Sequence, residues 1–260
     1  MPIAPPKNFD TGAATHVGKV RGRNEDSYLT RPEAGIWAVA DGMGGHQAGD
    51  LASQTVIASL RSIEPQASAT DLLAHCEESI ASANRQLNRL GRERGVVIGA
   101  TLAALLVFDG YYACVWSGDS RIYVVRGGGI VQISRDHTEV QDLLANGVIT
   151  SEDARNWSGR GAITRAIGVY DDPDLEVVSG PIQPSDSFVI CSDGLTNHVE
   201  DSEIRDFVQN NLSQQACEGL VALALERGGK DNVTVIIARH QPEAAPYASL
   251  ASSTQKVGRS

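Results

Sequence analysis

Residues 99–133 read GATLAALLVFDGYYACVWSGDSRIYVVRGGGIVQI. Four runs rich in β-branched and aromatic residues follow one another here: Gly99 to Phe108, Tyr111 to Trp116, Arg121 to Val125 and Ile130 to Ile133. They are separated by Asp109-Gly110, Gly118-Asp119 and Gly127-Gly128-Gly129. Such pairs tolerate the positive φ that tight hairpin turns require, so the stretch predicts consecutive hairpins in an antiparallel meander.

Strand patterns recur on both sides of it. Tyr28-Leu29-Thr30 and Ile36 to Ala40 come before, and Leu175 to Val178, Phe188 to Cys191 and Val233 to Ala238 come after. Helical periodicity appears from about Ala48 to Ser62, and again from an N-cap at Thr70, with Leu72, Leu73, Cys76, Ile80, Ala83 and Leu87 on one face. Two more helices are predicted at Asp201 to Leu212 and Gln214 to Arg227, the last stopped by Gly228-Gly229. Strands, two helices, a meander, two helices and a final strand make an α+β order in which helices cover an antiparallel core. Between Ser134 and Asp172 the strand pattern lapses. Thr138 to Asn146 is predicted helical with Gly147 as its stop, and Thr150 to Asp153 resembles a capping box opening a short helix. Ordered insertions of this length are often flaps beside a site. From Gln241 onward the chain is small and polar without periodicity, and a flexible tail is expected.

Composition narrows the function classes. The chain has 260 residues, 42 % apolar, enough for a full core in one large domain or two small ones. With 32 acidic and 22 basic residues the net charge is −10, which argues against a nucleic-acid backbone as partner. The longest apolar run, Val96 to Phe108, is too short to span a bilayer, so no membrane association is expected. No signal peptide is evident at the N-terminus, and Cys76, Cys114, Cys191 and Cys217 form no CxxC pair. A cytoplasmic location is the expectation.

Four aspartates share one local setting. Asp41 follows the run IWAVA, Asp193 follows FVICS, Asp119 follows CVWSG, and Asp231 precedes the strand VTVIIA. If these strand ends coincide in space, several carboxylates converge, and like charges so placed persist only beside cations. An all-oxygen set favours Mg²⁺ or Mn²⁺ over Zn²⁺. For each aspartate alone a plain turn role remains open, most of all for Asp119, which GDSR would seat in a hairpin loop. No GxSxG elbow or GxxxxGK[ST] loop occurs, and Cys114 stands one place too far from Arg121 for a cysteine phosphatase loop. The activated species is therefore expected to be metal-bound water rather than a side chain.

Taken in order, RGRNEDS (21–27), VADGMGGHQAGD (39–50), GATLAALLV (99–107), WSGDSRIYVV (116–125), ISRDHTEVQDLLANGVIT (133–150), ITRAIG (163–168), VICSDGLTNHV (189–199) and GGKDNVTVII (228–237) resemble the metal-dependent protein phosphatases. This is the PPM, or type 2C, Ser/Thr phosphatase family, in its compact bacterial form. The resemblance implies an α+β fold: an antiparallel β-sandwich flanked on both sides by helix pairs, with a flap near a dinuclear metal site. One catalytic domain would span 9–240, with the flap at about 134–172 and the tail at 241–260. On the matching positions Asp41 would bridge two Mg²⁺ or Mn²⁺ ions, and the Gly42 carbonyl would bind one of them. Asp193 and Asp231 would complete the other, and Asp119 with Asp193 would hold a third. Glu25 and Asp26 would act through bound waters, with Asn232 behind the site, and Arg21 would clamp the substrate phosphate.

Hydroxide held between ions about 3.5–4 Å apart would then attack phosphorus in line, with no phosphoenzyme. Where eukaryotic relatives carry a histidine after Asp-Gly, this chain has Met43, which leaves His46 as the candidate proton donor or a surface residue at a helix start. His16, His75, His137, His198 and His240 are expected to be structural or exposed, and Asp136 and Asp142 to be helix-end and surface charges. The implied partners are phosphorylated proteins and a bacterial Ser/Thr kinase whose work the enzyme reverses, the chain acting as a monomer. A catalytically silent relative serving as a binding module is the alternative, against which the joint presence of Asp41, Asp193, Asp231, Glu25 and Arg21 speaks.

Overall fold

The computed structural model describes residues 8–44, 48–155, 157 and 161–241. Strand β1 (Phe9–His16) leads to β2 (Asp26–Arg31) and β3 (Ile36–Gly44). Helices α1 (Ala48–Arg61) and α2 (Ala69–Arg94) follow, then β4 (Ile98–Ala100), β5 (Leu102–Phe108), β6 (Tyr111–Ser117), β7 (Arg121–Arg126) and β8 (Gly129–Gln132). Next come α3 (Glu139–Ala145), α4 (Ser151–Arg155), β9 (Glu176–Pro181), β10 (Ser187–Cys191), α5 (Asp193–Thr196), α6 (Asp201–Asn210), α7 (Ser213–Glu226) and β11 (Val233–His240).

The strands form two antiparallel sheets, ordered β1-β11-β10-β7-β8 and β2-β3-β5-β6-β9, with β4 paired to the end of β3. Side-chain alternation decides how the layers stack. Along β5, Leu102, Ala104 and Leu106 face α1 and α2, whereas Ala103, Leu105 and Val107 face the other sheet. Both faces are covered, which is why LAALLVF reads as a continuous apolar run. Phe188 and Ile190 of β10 join the same inter-sheet core, and Val189 and Cys191 pack under α6 and α7. Three apolar layers thus separate four layers of structure, the αββα sandwich expected.

Several local expectations need correction. Gly118-Asp119 does not close a hairpin: β6 and β7 belong to different sheets, so the connection crosses from one sheet to the other at the end of the sandwich. Of the three expected hairpin turns, Asp109-Gly110 and the Gly127-Gly128 turn do join paired strands. The β3 strand does not stop at Ala40 but runs through Asp41 to Gly44, where β4 continues the pairing. Helix α2 is capped by Ser68 rather than Thr70, because the Ser68 hydroxyl accepts from Asp71 N at 3.0 Å. Strand β1, not anticipated, pairs with β11 along its whole length. Its sequence FDTGAATH carries too few large apolar residues to announce a strand.

The inserted segment holds α3, capped by Thr138, and α4, whose Thr150–Asp153 box forms with Asp153 N on Thr150 Oγ1 at 3.2 Å. Its root is fastened by His137. Gly118 N donates to His137 Nδ1 at 3.1 Å, His137 N donates to Gly118 O at 2.9 Å, and Thr164 N donates to His137 O at 2.8 Å. Of the expected tail, 241–260, only Gln241 is among the described residues.

Candidate active site

Asp41 enters the site on a strand held from both sides. Its N donates to Thr101 Oγ1 at 3.0 Å and its carbonyl accepts from Thr101 N at 2.8 Å, at the break between β4 and β5. Thr101 Oγ1 in turn lies 2.7 Å from Ser120 Oγ, so the residue after Asp119 is tied to the backbone of Asp41. Asp193 opens α5, with Asn197 Nδ2 donating to its Oδ2 at 2.9 Å. Asp231 stands just before β11, where Arg21 Nη2 meets its Oδ2 at 2.7 Å. Asp26 lies directly opposite Asp41 in the β2–β3 register.

These carboxylates feel one another. Burial raises the Asp41 pKa well above the ordinary value, and the charges of Asp26, Asp193, Asp119 and Asp231 raise it further. Burial and then Asp193 push Asp119 up to about 7. Asp26 is pushed up to about 6 by burial, despite hydroxyl donors from Thr234 at 2.6 Å and Ser192 at 2.8 Å. The Asp193 carboxyl is raised by burial and then by Asp231. Four aspartates far apart in sequence, together with Asp26, therefore occupy one end of the sandwich.

Asp26 Oδ1 and Asp193 Oδ1 are buried without a hydrogen-bond partner among the described residues. Orphaned buried oxygens beside several like charges are the donor set that a hard cation completes. Gly49, at the start of α1, adds a cradle: a Cβ there would come within 2.7 Å of Glu25 Oε1 and 2.8 Å of the Gly42 carbonyl oxygen. A Cβ on Gly42 would itself overlap the Gly49 carbonyl. The donor chemistry thus fits Mg²⁺ or Mn²⁺. As the side chains stand, no group of three His, Cys, Asp or Glu among the described residues is gathered tightly enough to hold an ion, and Asp231 is engaged by Arg21.

Residues 18–225 match the family described as Protein phosphatase 2C. The chain belongs to the protein phosphatase 2C family. It is 38 % identical over 229 residues to the serine/threonine protein phosphatase PstP of Mycobacterium tuberculosis, covering 87 % of this chain and 44 % of PstP. This chain therefore spans less than half the length of that curated relative. The serine/threonine phosphatase stp of Listeria welshimeri is 31 % identical over 234 residues, covering 86 % of this chain and 92 % of the relative. Among solved structures, the PstP catalytic domain in complex with two manganese ions superposes with a TM-score of 0.82 at 34 % identity, covering 90 % of this chain and 99 % of that one.

The structure of this protein phosphatase 2C family member places the residues expected from sequence differently from one another. Asp41, Asp119, Asp193, Asp231 and Asp26 come together. Glu25 and Gly42 meet across Gly49, linked also by Gly42 N donating to Glu25 O at 3.1 Å. Arg21 reaches the cluster from the exposed loop between β1 and β2, its guanidinium committed to Asp231. His46 lies outside the described residues, as do Gly45 and Gln47. Asn232 proves to be a clip: its Oδ1 accepts from Glu25 N, and its Nδ2 donates to Val17 O and Arg23 O, each at 2.8 Å.

Asp136 departs from the surface charge expected of it. It is paired bidentately by Arg121, with Nη2 at 2.7 Å and Nε at 2.9 Å, beside Asp119. His137 is buried, and burial and Arg165 depress its pKa. Asp142 does sit on the surface, facing Arg135.

Sequence reasoning missed Gly49, Thr101, Ser120, Ser192 and Thr234. Each of the four hydroxyls is buried, and each stands beside a candidate residue or within an apolar run. A lone Ser or Thr in a run such as GATLAALLV was the available signal.

Two cavities lie near these residues. A groove of about 680 Å³ starts at Asp119, Asp193 and Asp231 and runs below α3 and α4. A larger one, about 920 Å³, follows edge strand β2 and α1 and touches only Asp26 of the carboxylates.

Proposed function

We propose that this chain is a metal-dependent protein serine/threonine phosphatase. The observation that carries the reading is the convergence of Asp41, Asp119, Asp193 and Asp231 with two orphaned buried carboxylate oxygens, beside the exposed cation of Arg21. Asp41 and the Gly42 carbonyl, with Asp193 and Asp231, would hold two Mg²⁺ or Mn²⁺ ions, Glu25 and Asp26 standing behind waters. Asp119 and Asp193 line one groove, which supports a further ion held by these two carboxylates. When bound, such ions supply charge neutralisation at the phosphoryl oxygens and a water of lowered pKa.

The chain's own residues do the rest. Thr101 and Ser120 tie the Asp41 strand to the connection that carries Asp119, and Asn232 fixes the loop carrying Arg21 and Glu25. Arg21, released from Asp231, orients the phosphate through two parallel N–H donors. The cysteines take no part: all four are buried, and burial pushes the thiols of Cys76, Cys191 and Cys217 up to about 12. That argues against a phosphocysteine intermediate, in keeping with direct hydrolysis of phosphoserine and phosphothreonine by an activated water. We further take the chain to act as a monomer that reverses the work of a Ser/Thr kinase.

The test is hydrolysis of a phosphothreonine peptide and of a small aryl phosphate, with and without Mn²⁺. Turnover is expected only with the metal, and Asp193→Asn is expected to lower it roughly 100-fold or more while the fold is retained. Absence of metal-stimulated turnover at micromolar enzyme would leave the silent binding module as the reading.

A further inference from the structure

Two carboxylates that the phosphatase reading assigns to one ion arrive on different segments, Asp193 as the first residue of α5 and Asp231 in the turn before β11. The pairing of β10 with β11 ends at Cys191 and Val235, so contacts beyond the sheet must hold the two segments together. One is a close backbone approach, since a Cβ on Gly194 would overlap the Asn232 carbonyl. Another is made by His198, just past α5, whose Nε2 accepts from Lys230 N at 3.3 Å.

His198 is braced on its own side. Its N donates to Leu195 O at 3.0 Å, and its carbonyl accepts from Arg227 Nη1 at 2.9 Å. Arg227 is in turn paired bidentately with Glu203 at 2.6 and 2.7 Å. Within the turn, Lys19 N donates to Gly229 O at 2.7 Å. The two residues before Asp231 are thus gripped by one backbone N–H and one imidazole. The ring is half-buried and lines the groove that holds Asp193 and Asp231, yet its hydrogen bond goes to the backbone rather than to either carboxylate. Among the described residues no other acceptor meets the Lys230 N–H. A hydrocarbon of the same bulk would fill this place equally well, so packing alone does not call for an acceptor.

Carboxylates lining one groove repel each other without a cation, and an ion binds more tightly when the scaffold has already brought its ligands together. We propose that His198 is a positioning residue for the ion shared by Asp193 and Asp231. By accepting the Lys230 N–H it holds the turn that carries Asp231 against the segment that carries Asp193. This rests on the phosphatase reading above, which supplies the ion.

The experiment uses the full chain and reads Mn²⁺ binding by titration calorimetry, with no substrate present. His198→Leu keeps the bulk and drops the acceptor, whereas the Oε1 of His198→Gln stands in for Nε2. His198→Leu is expected to weaken at least one Mn²⁺ binding step roughly tenfold, and His198→Gln to stay within about twofold of the native chain. In excess chelator the thermal midpoints of the two variants are expected to agree within about 3 °C, because one neutral, exposed hydrogen bond contributes little to folding. If His198→Leu binds Mn²⁺ as the native chain does, or His198→Gln is as weak as His198→Leu, the proposal is overturned while the phosphatase reading stands. A His198→Leu chain that is clearly less stable in chelator than His198→Gln marks a merely structural residue and overturns it as well. Absence of Mn²⁺ binding by the native chain overturns the metal assignment and this proposal together.

Discussion

At position 49 a missing methyl group keeps Glu25 and the Gly42 carbonyl side by side. The glycine lies in the first turn of α1, where its conformation alone does not demand glycine; what demands it is the space. Gly49→Ala would place a methyl within 2.7 Å of the Glu25 carboxylate, whose flexible end turns aside, and within 2.8 Å of the less mobile Gly42 carbonyl. The expected result is a folded protein whose activation by Mn²⁺ needs roughly tenfold more metal, as disturbed outer partners of a metal site usually produce. Titration calorimetry with Mn²⁺ checks it, and an unchanged isotherm removes Gly49 from the site. Asp41, Asp193 and Asp231 were legible as residues because an aspartate beside an apolar run is unusual enough to count. Gly49 was not, since a glycine's reason for being there is the neighbour it admits.

At the scale of elements, the passage from β6 to β7 matters most. Read locally, WSGDSRIYVV is a strand, a turn and a strand, and a hairpin follows. The strands diverge into separate sheets instead, and Asp119 is carried to the end of the sandwich rather than to a solvent-facing loop tip. Arg121 and Asp136 secure this crossing, Arg121 on β7 and Asp136 at the root of the inserted segment, with Gln132 also donating to Asp136 at 2.8 Å. The pair is largely shielded, with side chains 29 % and 15 % exposed. Asp136→Ala therefore leaves a guanidinium largely shielded and without its carboxylate, and a loss of about 2–4 kcal/mol is expected in urea unfolding, at or just below the usual cost for buried pairs. Arg121→Met combined with Asp136→Leu is expected to recover most of it. If the single variant is as stable as the native chain, the pair does not hold the crossing.

Over the whole molecule, the carboxylate cluster makes folding sensitive to pH when metal is chelated. Asp26 and Asp119 have folded-state pKa values of about 6 and about 7 against an ordinary 3.8, and Asp41 and Asp193 are also raised. Because the folded state retains protons that the unfolded chain has released, this contribution is full below the ordinary value. It is lost as pH rises through about 6 and about 7. His137, whose folded pKa is depressed from 6.5, acts in the opposite sense, since its contribution is present above that value and lost as pH falls. It is one group against four. In excess chelator the thermal midpoint is expected to fall between about pH 5 and about pH 8, and Mn²⁺ to remove most of that fall. A midpoint in chelator that stays level or rises across this range would contradict the account.

What the residues by themselves determined was the α+β class, the helix pairs, the helical insertion after β8 and which aspartates stand at the ends of apolar runs. Each depends on periodicity, turn chemistry or an odd residue beside an apolar run, all local in the chain. The tertiary structure alone decided that β6 and β7 part, that β1 pairs along β11, and that Asp136 is a half-buried partner of Arg121. It also placed Thr101, Ser120, Ser192 and Thr234 as the hydroxyls that position the acids. These depend on contacts between segments distant in sequence, where burial and charge act through space and leave no periodic trace along the chain.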